Sequence, residues 1–263
     1  MARLTQATVR KIAKGLYAAE RERRVLDPLT ATHEGIDVES AYRVQLALVE
    51  LRKKAGERVV GKKIGLTSLA MQRLLGVDQP DYGHIFDTMV LEDEVRMDTG
   101  ELIQPKVEPE IAFVMERSLE GPGVTAMQVL AATRFVVPAI EIIDSRVRDW
   151  KIKLPDTIAD NASSARIVLG STPRQVHQVD LRLVGMVLEK NGEVAQTGAG
   201  AAALGHPANA VAWLANAVGA YGVALEAGEV IMPGAVSAAV DVARGDHVRV
   251  SFDGLGTVSA RFV

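Results

Sequence analysis

Apolar residues recur with a helical period at the start of the chain and with a two-residue period towards its end. Val9, Ile12, Leu16 and Tyr17 fall at i, i+3, i+7 and i+8, with Arg10, Lys11 and Lys14 opposite, which predicts an amphipathic helix. After a loop over residues 28–35, Asp37 is placed to cap a second helix, with Glu39 near the positive end of its dipole. Ala41, Val44, Leu48 and Leu51 form the buried stripe of that helix. From Val59 onward, short apolar runs broken by Gly and Pro, as at 61–65, 81–83 and 104–105, predict a β-rich body. One helix interrupts it, because Thr125-x-x-Gln128 reads as a capping box with Val124 and Val129 as a hydrophobic staple; the pattern carries it to about Arg134. Val184, Met186 and Leu188 alternate into Asn191-Gly192, and Val248, Val250 and Phe252 alternate into Asp253-Gly254 with Val258, Ala260 and Phe262 returning, so two hairpins are expected. Between them, Pro207 fits the first turn of a helix with Val211, Leu214, Ala215 and Val218 on one face. The sum is an α+β chain with a helical N-terminal region over 1–58 and a β-rich domain over 59–263.

Composition narrows the chemistry. Hydrophobic residues at 48% and charged residues at 24% of 263 describe a chain that folds rather than a disordered one. Thirty basic and 33 acidic residues give a net charge of -3, so no basic field draws in nucleic acid. The absence of cysteine removes disulfides, thiolate zinc sites and cysteine nucleophiles, which leaves oxygen or imidazole for any metal. No two of the five histidines, His33, His84, His177, His206 and His247, have i, i+4 spacing, so a zincin site is not expected. The longest largely apolar run, 136–143, is well short of the roughly 18 residues of a membrane span. Arg3, Arg10 and Lys11 are followed by no secretory apolar segment, and a cytoplasmic location is the expectation.

The densest chemistry lies in Gln104-Pro-Lys-Val-Glu-Pro-Glu-Ile-Ala-Phe-Val114. In an extended chain Glu108, Glu110 and Ala112 share a face, so two carboxylates sit side by side, an arrangement that a hard divalent cation resolves. The same pair also fits a solvated edge strand, where Pro109 is tolerated. Glu141 is the one ionisable residue in a buried-strand pattern over 136–143, and alone it would be costly. A third metal ligand explains it; so does an ion pair with Arg146 or Lys106. Lys63, between Gly61 and Gly65, is a candidate to bind a carboxylate or move a proton, or else a solvated turn lysine. Asp81 is a turn former or an acid/base group. The polar stretch from Asp144 to Ser164 suits a pocket wall for a small oxygenated ligand, or a capped surface loop.

These motifs, with residues 56–65, 79–83, 104–113, 121–125, 144–163, 197–204 and 213–216, resemble the 2-oxopent-4-enoate (2-hydroxypenta-2,4-dienoate) hydratases of meta-cleavage aromatic degradation. These lie within the fumarylacetoacetate-hydrolase-like superfamily. The resemblance implies a mixed β-roll with a helical N-terminal region, and a Mg²⁺ or Mn²⁺ site at Glu108, Glu110 and Glu141. It places the lysine of Gly-x-Lys on Lys63, the aspartate of Asp-Tyr-Gly on Asp81 and the serine of Asn-Ala-Ser on Ser163. The implied reaction hydrates 2-hydroxypenta-2,4-dienoate to 4-hydroxy-2-oxopentanoate, with Lys63 and Asp81 catalytic and Lys63 and Ser163 binding the 2-oxo or 2-hydroxy-dienoic acid. A sibling, 4-oxalocrotonate decarboxylase, shares fold and metal. Lys62-Lys63, Gln104 and Asp149-Trp150 look like hydratase, whereas Arg166 and the segment 235–240 lean towards decarboxylase. Arg166 is therefore a candidate to read a distal carboxylate, or else to pair with a neighbour such as Asp160. A 2-oxohept-4-ene-1,7-dioate hydratase ranks third, since its longer loop is missing. A non-catalytic binding subunit is the alternative outside enzymology. The resemblance also implies a homo-oligomer, for which the Ala- and Val-rich helix from Pro207 to Tyr221 offers apolar surface, and a complex with the sibling enzyme.

Overall fold

A computed structural model describes residues 4–68, 72, 73 and 76–263. Helix α1 (Gln6–Glu22) is capped by Thr5, whose Oγ1 accepts the Thr8 N–H at 3.2 Å. A single turn, α2 (Leu29–Thr32), leads to α3 (Val38–Lys54), where the Asp37 carboxylate accepts the Ser40 N–H at 2.8 Å. Val9, Ile12 and Leu16 of α1 meet Ala41, Val44 and Leu48 of α3, as the helical period requires. The same cluster includes Ile158 and Ala159 of α5 (Leu154–Ala159), so the N-terminal helices share a core with the body.

Among the described residues, thirteen strands form two mixed sheets. The larger sheet runs β2 (Asp81–Phe86), β1 (Val59–Gly65), β10 (Val230–Met232), β5 (Pro105–Met115), β6 (Thr133–Asp144), β7 (Ser164–Leu169) and β3 (Val90–Glu92), with β11 (Val240–Asp241) also on β5. The smaller runs β4 (Val95–Met97), β13 (Gly256–Phe262), β12 (His247–Phe252), β8 (Gly185–Lys190) and β9 (Glu193–Ala199). Both expected hairpins are present, as β8–β9 and β12–β13. Asn191 and Gly192 both have positive φ, 57° and 85°, as a tight hairpin turn between right-twisted strands demands.

The expected capping box is also present. Thr125 and Gln128 exchange backbone and side-chain bonds at the start of α4 (Ala126–Ala132). This helix stops two residues before Arg134, because Thr133 to Asp144 pair along β5 as the twelve-residue strand β6. Helix α6 (Pro207–Gly219) buries Val211, Leu214, Ala215 and Val218, and also Ala208, Ala210 and Ala212. Its second apolar face is thus covered within the chain and gives no ground for a partner.

Side chains alternate across β5 and β6. Val107, Ile111, Phe113, Val136, Ile140 and Ile142 enter the large core beneath the second sheet, α4 and α6. Ala112, Val137 and Ala139 face the other way, towards Val49 of α3, Ile167 and Met232. Glu108, Glu110 and Glu141 continue that second face.

Candidate active site and metal centre

Glu108 lies opposite Glu141 and Glu110 opposite Ala139 in the antiparallel β5–β6 ladder. Directly opposed residues share a face, so the three carboxylates converge, with one oxygen from each within 4.8 Å of the others. Glu110 and Glu141 are fully buried. The Gly234 N–H donates to Glu110 Oε2 at 2.8 Å, and Ser164 Oγ donates to Glu141 Oε1 at 2.8 Å. Among the described residues, Glu110 Oε1 and Glu141 Oε2 have no hydrogen-bond partner, and Glu141 Oε2 lies 3.2 Å from Lys63 Nζ.

Lys63 stands on β1, next to the edge strand β2, and donates to the Ala162 carbonyl at 3.0 Å. Asp81, at the start of β2, pairs in register with Gly65. A β-carbon at Gly65 would come within 2.2 Å of Asp81 Oδ1 and 3.4 Å of Lys63 Nζ, so the glycine leaves both side chains their space. Asp81 Oδ2 accepts from Thr157 Oγ1 at 3.1 Å, while Oδ1 has no hydrogen-bond partner among the described residues. Ser163 Oγ is buried and likewise unpartnered. Four unpartnered oxygens on residues of one neighbourhood, three of them on carboxylates, are what a bound cation and an oxygenated ligand would satisfy.

One wall of the site is a strained turn. Asn161, Ala162 and Ser163 have φ of 55°, 51° and 53°, three successive left-handed residues that carry a β-carbon, at a cost of order 1–2 kcal/mol each. Two clamps hold it. The Asn161 amide accepts the His84 N–H at 2.8 Å and donates to the His84 carbonyl at 2.9 Å, as a neighbouring strand would. Buried Asp160 accepts Arg146 Nε at 2.5 Å and the Arg146 N–H at 2.9 Å.

Charge in this pocket is unbalanced. Burial pushes the Glu108 carboxyl up to about 7 against the pull of Lys63, with Glu141 and Asp81 adding repulsion. Burial and then Glu141 and Glu108 hold Glu110 well above the ordinary carboxylate range. Burial raises Asp81 too, opposed by Lys63 and Thr157. Burial alone would lower Lys63, but Glu141, Asp81, Glu108 and Glu110 outweigh it and keep the ammonium charged. Four carboxylates facing one lysine must take up protons or a cation. A hard divalent ion fits the all-oxygen donor set of Glu108, Glu110 and Glu141.

Lys63, Asp81, Ser163 and the three glutamates thus lie in one neighbourhood, but two pairings differ from expectation. The cation beside Glu141 is Lys63; Arg146 is taken by Asp160 and Lys106 by Asp241. Arg166 pairs with Glu101 at 3.1 Å, and Asp160 is not its partner. Arg166 lies opposite Ile142 while Glu141 lies opposite Ile167, so its side chain leaves β7 on the face away from the glutamates. There it lines a separate cavity of about 260 Å³ with Glu101, Arg146 and Arg52. Thr157 and Ser164 escaped sequence reasoning as individuals, although both fall in the hydroxyl-dense stretch singled out as a pocket wall.

Residues 84–263 match the family described as Fumarylacetoacetate (FAA) hydrolase C-terminal. The chain is 50% identical over 222 residues to a 2-hydroxypent-2,4-dienoate hydratase of Pseudomonas putida, covering 84% of this chain and 100% of that one. It is 48% identical over 249 residues to a 2-hydroxyhexa-2,4-dienoate hydratase of Comamonas testosteroni, covering 94% of each. Among solved structures, 4-oxalocrotonate decarboxylase from Pseudomonas putida G7, complexed with magnesium and adipate, superimposes with a TM-score of 0.97 at 41% identity over 100% of both chains.

Proposed function

This chain belongs to the fumarylacetoacetate hydrolase family, and from that premise we infer that it is a hydro-lyase acting on 2-hydroxypenta-2,4-dienoate. It adds water to give 4-hydroxy-2-oxopentanoate. The observation that carries this reading is the convergence of Glu108, Glu110 and Glu141 beside Lys63. The three glutamates would hold a divalent cation, Mg²⁺ or Mn²⁺, whose charge stabilises negative charge developing on the substrate's C2 oxygen.

The chain's own groups account for the rest. Lys63, fixed by the Ala162 carbonyl and Glu141, offers a permanent positive charge to the substrate carboxylate. Ser163 Oγ, without a protein partner, supplies a hydrogen bond to the same oxygenated end. Asp81, whose carboxyl burial pushes above its ordinary range against the pull of Lys63, would be the acid that delivers a proton to C5. With the enol proton lost from the C2 oxygen, this gives a conjugated 2-oxo-3-enoate. Water then bonds to C4 and a proton to C3.

The decarboxylase reading is supported by the likeness to the solved decarboxylase and to a curated 4-oxalocrotonate decarboxylase, as well as by Arg166 and the segment 235–240. Under it Arg166 would bind a distal carboxylate; its pairing with Glu101 away from the glutamates favours a monocarboxylic substrate. A non-catalytic binding subunit has no supporting feature. No helix among the described residues is long and apolar enough to cross a membrane, and a cytoplasmic location is part of this proposal. So is a homo-oligomer, supported by exposed Leu183, Val187 and Val194 along and beside β8 and β9; a complex with the sibling decarboxylase completes it.

The test offers 2-hydroxypenta-2,4-dienoate and 2-oxohex-3-enedioate to purified enzyme with Mg²⁺, following dienol absorbance and CO₂ separately. Hydration of the dienoate that disappears on chelation and returns with Mg²⁺ or Mn²⁺ is expected. Rapid CO₂ release with negligible hydration would overturn it. Metal-dependent oxalate binding without turnover of either compound would show a binding subunit instead.

A further inference from the structure

Three buried carboxylates of the pocket share a pattern. Among the described residues, each has one oxygen held by a single donor and the other without a hydrogen bond: Glu110 by Gly234 N–H, Asp81 by Thr157 Oγ1 and Glu141 by Ser164 Oγ. A carboxylate pinned at one oxygen keeps its rotamer, so the free oxygen is aimed at a fixed point.

Glu141 needs this most, because its free oxygen has two claimants. Oε2 lies 3.2 Å from Lys63, and with Oε1 held by Ser164 it is also the oxygen left for the three-glutamate cluster, to which Glu141 gives one oxygen. If Glu141 turned both oxygens to the ammonium, the cluster would lose a donor. Ser164 on Oε1 blocks that rotation. The hydroxyl reaches Glu141 through an irregularity in the ladder, where β6 pairs Ile142 with Arg166 but Ile143 with Ser164, leaving Ala165 as an extra residue. Ser164 is 1% exposed, and among the described residues its hydroxyl bonds to Glu141 alone. Packing alone would be served by alanine; a buried hydroxyl is costly unless its bond is made. The backbone is anchored as well, since the Ser164 carbonyl accepts Arg146 Nη1 at 3.3 Å, from the arginine that holds Asp160.

We propose that Ser164 is a positioning residue for the metal centre, fixing Glu141 through Oε1 so that its other oxygen stays available to Lys63 and to the cation the three glutamates would hold. The proposal rests on the metal-dependent reading above. Its test is calorimetric titration of Mg²⁺ into chelator-stripped full-length protein, with thermal melts to establish folding. Ser164→Ala raises the Mg²⁺ Kd about 10- to 100-fold, the usual effect of losing such a supporting bond. Ser164→Thr, which keeps the hydroxyl, stays within about threefold of wild type. Thr157→Val, which loosens Asp81 and no proposed metal ligand, lowers kcat while leaving the Kd within about threefold. A folded Ser164→Ala protein with wild-type Kd overturns the proposal, as does Ser164→Thr binding as weakly as Ser164→Ala. Should Ser164→Ala fail to fold, Ser164→Cys, equal in shape but a weak donor, is read against the same thresholds. Wild-type protein that binds neither Mg²⁺ nor Mn²⁺ would instead sink the metal-dependent reading itself.

Discussion

His84 carries an unpaid acid sensitivity. It is buried, its Nδ1 has no hydrogen-bond partner among the described residues, and burial followed by the charges of Lys62 and Lys53 lowers its pKa to about 4 from an ordinary 6.5. The folded chain therefore keeps the neutral ring while the unfolded chain takes up a proton below pH 6.5. Stability from this source is complete above that pH and is lost as pH falls towards 4, at up to about 1.4 kcal/mol per unit and about 3 kcal/mol in all. Urea unfolding of wild type and His84→Gln between pH 7.5 and 4.5 measures it, and the variant should show the shallower decline. Equal slopes would disprove the assignment. At this scale the sequence exposed whatever was chemically out of place. Glu141 stood out because an ionisable group interrupts an apolar run, and Glu108 and Glu110 because two like charges share a strand face. The partners of Lys63 and Arg166 were not legible: Glu141 and Glu101 lie 78 and 65 positions away and are brought close only by the sheet order β1-β10-β5-β6 and by the loop before β5.

Elements were readable where their signal is local. The Thr125–Gln128 box, the Asn191-Gly192 turn and the stripes of α1 and α3 each use residues within a few positions, and each forms as expected. The left-handed turn over 161–163 gives no such signal, since Ala162 and Ser163 have no preference for positive φ. It exists because tertiary clamps outweigh its strain. Asn161→Ala removes the clamp to β2 and leaves the buried His84 N–H and carbonyl without their partner. The expected loss is about 2–4 kcal/mol, the cost of abandoning two buried groups. Catalysis should fall with it, because the Ala162 carbonyl that holds Lys63 rides on the same turn. Asn161→Asp, which keeps the acceptor for the N–H but loses the donor, should lie between. Unfolding free energies of the two variants in the presence of Mg²⁺ decide the matter, and a change under 1 kcal/mol in Asn161→Ala, on the scale of a single ordinary hydrogen bond, would show that the clamp is dispensable.

For the whole molecule, the sequence divides at about residue 58, where helical periodicity gives way to strands, and the family match begins further on, at residue 84. The packing does not divide there. Ile158 and Ala159 complete the core of α1 and α3, and Val49 of α3 joins the cluster of Ala112, Val137 and Ala139 on the glutamate face. The buried Gln45 side chain donates to the carbonyls of Tyr82 and Ile158, both at 2.8 Å, so one α3 residue ties β2 to α5. Detaching the helices would uncover apolar surface on both sides and leave those carbonyls without the Gln45 bonds, so the N-terminal region is expected to have no independent stable state. Unfolding should be a single event. Both tryptophans, Trp150 and Trp213, lie in the β-rich part, whereas α1 and α3, of 17 residues each, contribute heavily to the helical circular dichroism. Denaturation followed by tryptophan fluorescence and by dichroism at 222 nm should therefore give coincident transitions at fixed protein concentration, which must be held because an oligomer would shift both together. Dichroism lost at lower urea than fluorescence would mean that the helices melt first. The 58-residue region would then be a separable annex, and the support it gives the glutamate face through Gln45 and Val49 would be dispensable.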